Sequence, residues 1–527
     1  MTIVSTIVPD LDAAASRAYL ASMPLAIENI QGNILGGFNK DFQDFLFLSF
    51  KSAAAGRAWI AEIAGPDADA SLVKSSSFQV LKFNGEFKNL KRQGLKPEAF
   101  LSTAWNNLAL TYQGLKALGV RAADLDAFPP EFRDGMAARA KLIGDVDASA
   151  PQHWRAPFGD PSAIHAVLIV AADTAPLLAS RLAAIATKAF ADGTTVIDRV
   201  HGRTRAGKQN GHEHFGFKDG VSQPGIRGIT PQDDPIGNPN QGQPGQDLLW
   251  PGEFVLGYPT QIPKDFPSVD GPNPNPGPPS TSGPSWTRDG SYLVFRRLDQ
   301  DVPSFDAQIA TLASHTGLSP DLVGAKLVGR YKSGCPLETR TFLEPAPPSP
   351  TDPGIATPAL ADSDSLNLSF EFGDDPDGTL VPLASHIRKA YPRDEDTGFG
   401  ADSESDTQTH RLLRRGVPFG ASVGDPGPGS GATDKRGLLF LCYQKSIATQ
   451  FEFVQHSWVN DADFPPKPAG RPQPGQDPIM AQAAQGPFHL DKTHAALPVK
   501  HFVTTSGGEY FFQPSIDALQ KIGTGKI

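Results

Sequence analysis

Short β-rich apolar runs alternate with amphipathic stretches on both sides of a segment rich in proline and glycine, and this order limits the fold most. Upstream of that segment, residues 45–50 and 165–170 predict strands, each followed by a helical stretch. Downstream, residues 292–295 and 438–441 predict strands that are again accompanied by helices. Strands mixed with helices and joined by short loops are typical of α+β proteins, so we expect two units of this class.

The segment between the halves, residues 230–288, is rich in Pro, Gly, Asn and Gln. It cannot support a continuous helix or a central strand. One apolar island at 248–258 indicates an ordered surface excursion rather than a linker between free domains. The predicted layout is therefore a variable N-terminal arm (1–25), an N-terminal unit (26–229), a Pro/Gly-rich insertion (230–288) and a C-terminal unit (289–527).

Composition excludes several classes of protein. A chain of 527 residues with 39% hydrophobic residues can bury a large core. Its net charge of −10 argues against a nucleic-acid-binding protein, which would usually be basic. Two cysteines, Cys335 and Cys442, are too few for a disulfide framework. We expect both to be buried, reduced thiols, with a single bridge as the alternative.

The chain shows no sequence feature of membrane insertion. No run of about 18 apolar residues occurs, so no membrane span is expected. The first residues carry neither a basic region nor a sustained apolar run, so no cleaved secretory signal is expected either. A cytoplasmic location is the default expectation, with secretion by another route as the alternative.

Three separated motifs carry charged groups in a pattern that suggests one site. The first, at 216–220, holds Asp219 between glycines, which allow close approach of the backbone to a flat ligand. In isolation this motif is weak evidence, because most such loops are merely turns. The second, at 385–393, contains His386 among several cations, and the third, at 413–420, contains Arg414. These positions can meet only through the fold.

The order Gly-x-x-Asp-Gly, His-x-Arg-Lys, Arg-Arg-Gly resembles the dye-decolourising peroxidases, in particular their long-chain forms. The resemblance implies two ferredoxin-like domains, each an antiparallel sheet with peripheral helices, packed together around a haem pocket. It also implies one haem b (iron protoporphyrin IX) per chain, reaction with hydrogen peroxide and one-electron oxidation of organic donors such as dyes and phenolics. Two alternatives stay open: an enzyme mainly for peroxide removal, and a non-catalytic haem carrier or sensor.

The resemblance also implies roles for individual residues. His386 would be the axial ligand of the iron, and Asp477 would accept a hydrogen bond from its ring, with a plain turn as the alternative for Asp477. Asp219 would carry the proton and Arg414 would stabilise negative charge, with the neighbouring Arg415 as the alternative for Arg414. Gly220 would let the backbone approach the cofactor.

Three further side chains are candidates on weaker grounds. Arg388 and Arg393 lie where the two haem propionates need cations, although a solvated basic face is the alternative for each. Phe419 replaces a tyrosine that serves as a surface radical site in many relatives. That substitution leaves Trp458 as a candidate for surface electron transfer. Trp458 shares a predicted helix face with Ile447 and Phe451, so a core tryptophan is the alternative.

Overall fold

The computed structural model of the chain describes most of both predicted units. The described residues are 25–64, 75–189, 193–218, 220–232, 238, 240–262, 276–338, 367–398, 404–423, 431, 435–466, 473–482, 487–490 and 496–527. The predicted N-terminal arm lies outside this set except for its last residue. Asp219, the predicted proton carrier, also lies outside it. None of the helices within these ranges has the length and hydropathy needed to cross a lipid bilayer.

Within the described residues, the N-terminal half contains four main strands and eight helices. The strands are β1 (Phe42–Phe50), β2 (Ala104–Leu110), β3 (Ala166–Ala172) and β4 (Thr194–Arg203). The helices are α1 (Gly32–Leu35), α2 (Ala53–Ala64), α3 (Ser77–Arg92), α4 (Tyr112–Ala117), α5 (Ala122–Asp126), α6 (Pro130–Asp134), α7 (Met136–Arg139) and α8 (Ala175–Ala189). Short 3-10 turns lie at Pro97–Ala99, Asp147–Ser149, Pro151–His153 and Gly207–Gln209.

The central segment and the C-terminal half contain the remaining elements. The strands are β5 (Gly225–Ile226), β6 (Leu248–Leu249), β7 (Ser291–Gln300), β8 (Leu413–Arg414), β9 (Val417–Phe419), β10 (Gly437–Gln444), β11 (Pro487–Phe488), β12 (Leu497–Pro498) and β13 (Val503–Gln513). The α-helices are α9 (Val302–Thr316), α10 (Pro320–Val328), α11 (His386–Ala390), α12 (Glu404–Thr407) and α13 (Ile516–Gly523). Two π-helical segments, Ile447–Glu452 and Val454–Val459, and 3-10 turns at Pro251–Glu253, Ser285–Thr287 and Gln408–His410 complete the set.

Both halves have the same strand order, which confirms the predicted fold. In the N-terminal half, antiparallel pairing gives the order β4-β1-β3-β2. In the C-terminal half, the corresponding order is β13-β7-β10-β8, with β9 also paired to β10. Taking the strands of each half in chain order, both are 4-1-3-2 sheets with helices in the crossovers, which is the ferredoxin-like arrangement.

Over the part of the chain that the structure describes, the two sheets join into one sheet of nine strands. Leu110 of β2 pairs with Phe512 of β13, so the edge strands of the two halves meet. At the other end β4 packs against β9. Gly202 of β4 lies so close to Val417 of β9 that a Cβ built on the glycine would come within 2.5 Å of Val417 Cγ1. The predicted domain boundaries at 25, 229 and 288 stay predictions. The apolar island at 248–258 is not a surface excursion, because Leu249 and Phe254 are fully buried in the main core.

The carboxylate of Asp173, directly after β3, binds Lys40 Nζ at 2.8 Å and accepts from the backbone N–H of Thr103 at 2.7 Å. At the start of α8, Thr174 Oγ1 accepts from the N–H of Leu177. The carboxylate is thus used to tie β3 to the loops at residues 40 and 103. Cys335 and Cys442 are both buried and unbridged, as expected.

Glu509 on β13 should make stability depend on pH. The carboxylate is buried and accepts from the N–H groups of Met136 and Tyr510 at 3.0 and 2.7 Å. Burial raises the pKa of Glu509 from 4.5 to about 7. Between these values the folded chain binds more protons than the unfolded chain, so the free energy of unfolding falls as pH rises. Glu509→Gln removes this dependence. Urea unfolding should show that the free energy of unfolding of the variant rises relative to that of the wild type from pH 5 to pH 8. A difference between the two free energies that stays constant over this range would contradict the raised pKa of Glu509.

Candidate active site

A cavity of about 570 Å³ lies on the face of the C-terminal sheet that carries Leu298 and Phe440. Its volume is in the ordinary range for a cofactor or small-molecule site. Its apolar lining comes from β7, β10, β13, α10, the π segments and the loop at 479–480: Leu298, Leu438, Phe440, Val503, Val328, Phe451, Val454, Val459, Ile479 and Met480. Polar groups from three distant parts of the sequence converge on the same space.

His386 lines this cavity as the first residue of α11. Its Nδ1 lies 2.7 Å from Oδ2 of Asp477, whose side chain is fully buried. The other oxygen of Asp477 accepts from the N–H groups of Ile479 and Met480 at 2.7 and 2.9 Å, which fixes the carboxylate. This arrangement makes Nδ1 the donor, so Nε2 is the ring nitrogen suited to a metal ion. The structure thus brings His386 and Asp477 together as the sequence suggested.

Arg414 lies on β8 and lines the same cavity. Its Nη2 donates to the carbonyl of Ser222 at 2.7 Å, and its backbone N–H donates to Gln223 Oε1 at 3.1 Å. These contacts attach the strand to the loop that follows the Gly-x-x-Asp-Gly motif. Gly220, the last residue of that motif, lines the cavity. The role predicted for Asp219 stays a prediction.

Arg415, the alternative to Arg414, has a different set of contacts. Its guanidinium donates to the carbonyls of Asn33, Ile34 and Leu35 at 3.0, 2.9 and 3.1 Å, and so caps the last turn of α1. Burial lowers its pKa to about 10. Because its donors are used by backbone carbonyls, Arg415 is suited to hold α1 in place rather than to contact a ligand.

The two arginines predicted to bind propionates are in different places. Arg393 lines the cavity and stacks over Phe370 at 3.8 Å, with a left-handed backbone (φ 56°) that a non-glycine residue adopts only under constraint. Arg388 does not line the cavity. It is fully buried, donates to both oxygens of Glu395 at 2.8 and 2.7 Å, and also contacts Asp375 at 3.3 Å. The basic run at 385–393 therefore divides between the cavity and a structural ion-pair cluster, which sequence spacing alone does not reveal.

Arg388→Met should be strongly destabilising, because it leaves the carboxylates of Glu395 and Asp375 buried without their cation. Removing one partner of a buried pair typically costs about 3–5 kcal/mol. Thermal and urea unfolding measure the loss. Arg121→Met is the control, since Arg121 pairs with Asp124 at the surface and should change stability by less than about 1 kcal/mol. Equal effects of the two substitutions would contradict a structural role for Arg388.

Sequence reasoning missed three further arginines at the cavity: Arg296, Arg330 and Arg411. Arg411 lines it and stacks over the ring of Tyr391 at 3.7 Å. Arg296 on β7 is fully buried, and its Nη2 binds Asp145 Oδ1 at 2.5 Å. Among the described residues, Nε and Nη1 of Arg296 have no hydrogen-bond partner. The sequence did contain an indication of Arg296. Burying an arginine inside an apolar strand costs free energy, so its presence there indicates a specific role.

Trp458 is not a surface residue, so the prediction of surface electron transfer there was wrong. Its side chain is 2% exposed, stacks on Phe464 at 5.5 Å and meets the edges of His410 and Phe453 at 5.2 and 5.3 Å. The alternative of a core tryptophan is the one that the structure shows. Trp458 lies in the second π-helical segment and packs with Val454, Val459 and Phe464, in a cluster separate from the one that contains Ile447 and Phe451.

Comparisons with known proteins identify the family. Residues 29–206 match the family model described as the DyP dimeric alpha+beta barrel domain, and residues 278–464 match the one described as Dyp-type peroxidase, C-terminal. A relative named Peroxidase 2, from Mycetinis scorodonius, is 33% identical over 97% of this chain and 90% of its own length. The chain belongs to the dye-decolourising peroxidase family. It is a peroxidase.

Solved structures give the same result. A structure of an ancestral D-type dye-decolourising peroxidase is 32% identical and covers 95% of this chain and 99% of its own, with a TM-score of 0.73. A dye-decolourising peroxidase in complex with 2,6-dimethoxyphenol is 30% identical, covers 95% of this chain and all of its own, and has a TM-score of 0.72. The family is one of haem peroxidases, so the cavity beside His386 is the candidate haem site of this chain.

The donor set around the cavity fits a haem. His386 presents an imidazole oriented by a buried carboxylate, which is the usual setting of a metal-binding histidine. Flat apolar surfaces suit a porphyrin ring, and Leu298, Phe440 and Ile479 are among the residues that supply them. Arg393 provides a cation for the carboxylates that such a cofactor carries.

Proposed function

We propose that the chain binds one haem b, with His386 as the ligand of the iron, and uses it to reduce hydrogen peroxide and oxidise organic donors one electron at a time. The observation that carries this proposal is the His386–Asp477 pair at 2.7 Å, set in the wall of a cavity that Arg414 also lines. When bound, the haem supplies the redox chemistry. The Asp477 carboxylate would make His386 a stronger donor to the iron, which would favour the oxidised states of the metal.

The protein side chains would manage protons and charge. Asp219, next to the cavity-lining Gly220, would take a proton from one peroxide oxygen and return it to the other, which leaves as water. Arg414 would stabilise the negative charge that develops as the O–O bond breaks. Its guanidinium is held in place by the carbonyl of Ser222 and therefore needs little reorganisation during the reaction. A non-catalytic haem carrier or sensor would need neither residue.

The organic donors are proposed by similarity. Relatives carry names that refer to dye decolourisation, and one structure contains a dimethoxyphenol. We infer that phenols and dyes are donors of this chain as well. The alternative of an enzyme mainly for peroxide removal would show fast reaction with peroxide but slow turnover of every donor.

An absorption spectrum of the purified protein tests the proposal directly. We expect a Soret band with about one haem per chain, and a shift of that band when one equivalent of peroxide is added. Addition of a phenol or a dye should then restore the original spectrum. A protein that shows no Soret band after reconstitution with haem would overturn the proposed cofactor, and a band that does not respond to peroxide would overturn the proposed chemistry.

A further inference from the structure

Tyr391 is the only tyrosine or tryptophan that lines the cavity among the described residues. It directly follows α11, five positions after His386, so the two residues are about 7.5 Å apart along the helix axis. Its side chain is buried, with 9% of the residue exposed. An aromatic side chain with a low oxidation potential beside a site that generates strong oxidants is chemically exposed to electron loss.

The hydroxyl of Tyr391 has a proton acceptor in place. It donates to Oδ2 of Asp247 at 2.8 Å. Burial alone would raise the pKa of Asp247, but the charges of Arg411 and Arg393 hold it below the usual value. The carboxyl group of Glu404 beside it has its pKa raised by burial and by Asp247 itself. Asp247 is therefore the ionised member of this pair and can take up a proton.

Arg411 decides how the ring can be oxidised. Its guanidinium lies 3.7 Å from the ring centroid and 3.6 Å from Asp247. A cation on the ring face opposes a positively charged aromatic radical, so an electron can leave readily only if the phenolic proton leaves with it. The hydrogen bond to Asp247 supplies that proton path, and Arg411 stays beside the aspartate.

We propose that Tyr391 is a redox-active residue that stores one oxidising equivalent of the peroxidase reaction as a neutral radical, with Asp247 as its proton acceptor. Tyr391 gives one electron to the site oxidised by peroxide and gives its phenolic proton to Oδ2 of Asp247. The products are a neutral tyrosyl radical and a protonated Asp247. One electron from an organic donor, with return of the proton, restores both residues. This inference rests on the proposed haem site.

The chain contains a matched control. Tyr258 is also buried, donates to Oδ1 of Asp289 at 2.5 Å and has Arg288 4.9 Å from its ring centroid. This second set has the same three residue types but does not line the cavity. If a buried Tyr–Asp–Arg set were sufficient, both tyrosines would be oxidised. If position at the cavity is required, only Tyr391 would be.

Freeze-quench electron paramagnetic resonance of the haem-loaded enzyme, after one equivalent of peroxide and without donor, tests the proposal. We expect a tyrosyl signal whose line shape changes when the enzyme is made with ring-deuterated tyrosine. Tyr391→Phe should lose this signal and keep the peroxide-induced Soret shift, whereas Tyr258→Phe should keep both. Asp247→Asn retains Tyr391 but removes the charged proton acceptor, so it should lose most of the signal.

The outcomes separate this inference from the proposed function. An unchanged tyrosyl signal in Tyr391→Phe, or no tyrosyl signal in a wild-type enzyme that responds normally to peroxide, would overturn the role of Tyr391 and leave the haem site intact. Absence of any peroxide response would instead count against the haem site. A purely structural Tyr391 would lower the thermal stability of Tyr391→Phe without altering the radical signal, which also overturns the proposal.

Discussion

His386→Ala should yield a folded protein that has lost most of its haem. The imidazole is held by Asp477 and lies in the cavity wall, so its removal deletes both the bond to iron and the group that orients the cofactor. The measurement is the haem content of the purified variant, from its Soret absorbance relative to protein. Added imidazole should fill the space left by the side chain and restore part of the binding.

A second histidine at the cavity provides the control. His410 also lines the cavity, where it stacks on Phe453 at 3.8 Å and contacts the carbonyl of Thr449 through Nδ1 at 2.5 Å. A backbone carbonyl can orient a metal-binding histidine as a carboxylate does, so His410 is a competing ligand. We expect His410→Ala to keep an unchanged ferric spectrum. Loss of haem in His410→Ala, with retention in His386→Ala, would reverse the assignment.

Much of the fold could be predicted because hydrophobic periodicity is a local property. The strand predicted at 45–50 is the end of β1, and the helical stretch predicted to follow it is α2 (Ala53–Ala64). The joining of the two halves could not be predicted, since the pairing of Leu110 with Phe512 links residues far apart in the chain. The π-helical form of 447–459 was also missed, because its buried residues still satisfy an α-helical spacing.

The candidate site shows the same division between local and long-range information. His386, Asp477 and Arg414 converge as their motifs suggested. The sequence could not show that Arg388 and Arg393 have different roles, because the difference depends on what the fold brings near each of them. Arg388 is paired with Glu395 and Asp375, whereas Arg393 lines the cavity. Charge patterns locate a basic segment, whereas the paired carboxylates decide which of its members remains available to a ligand.

Arg414→Leu should leave haem binding intact and slow the reaction with peroxide. The guanidinium provides the fixed positive charge that Arg414 is proposed to contribute during O–O cleavage, and the leucine removes that charge while keeping part of the volume. Loss of one preorganised electrostatic donor typically costs about 10²–10³ in rate. Stopped-flow recording of the Soret shift at several peroxide concentrations gives the second-order rate constant, and the ferric spectrum and haem content should match those of the wild type.

Arg415→Leu separates charge stabilisation from a general loss of structure at this strand. Because Arg415 donates to the carbonyls of Ile34 and Leu35, its removal should lower the melting temperature by loosening α1. The folded variant should still react with peroxide at close to the wild-type rate, because Arg414 and its contact with Ser222 remain. If Arg415→Leu instead slows the peroxide reaction more than Arg414→Leu does, the two arginines have been assigned the wrong way round, and the cation at the reaction site is Arg415.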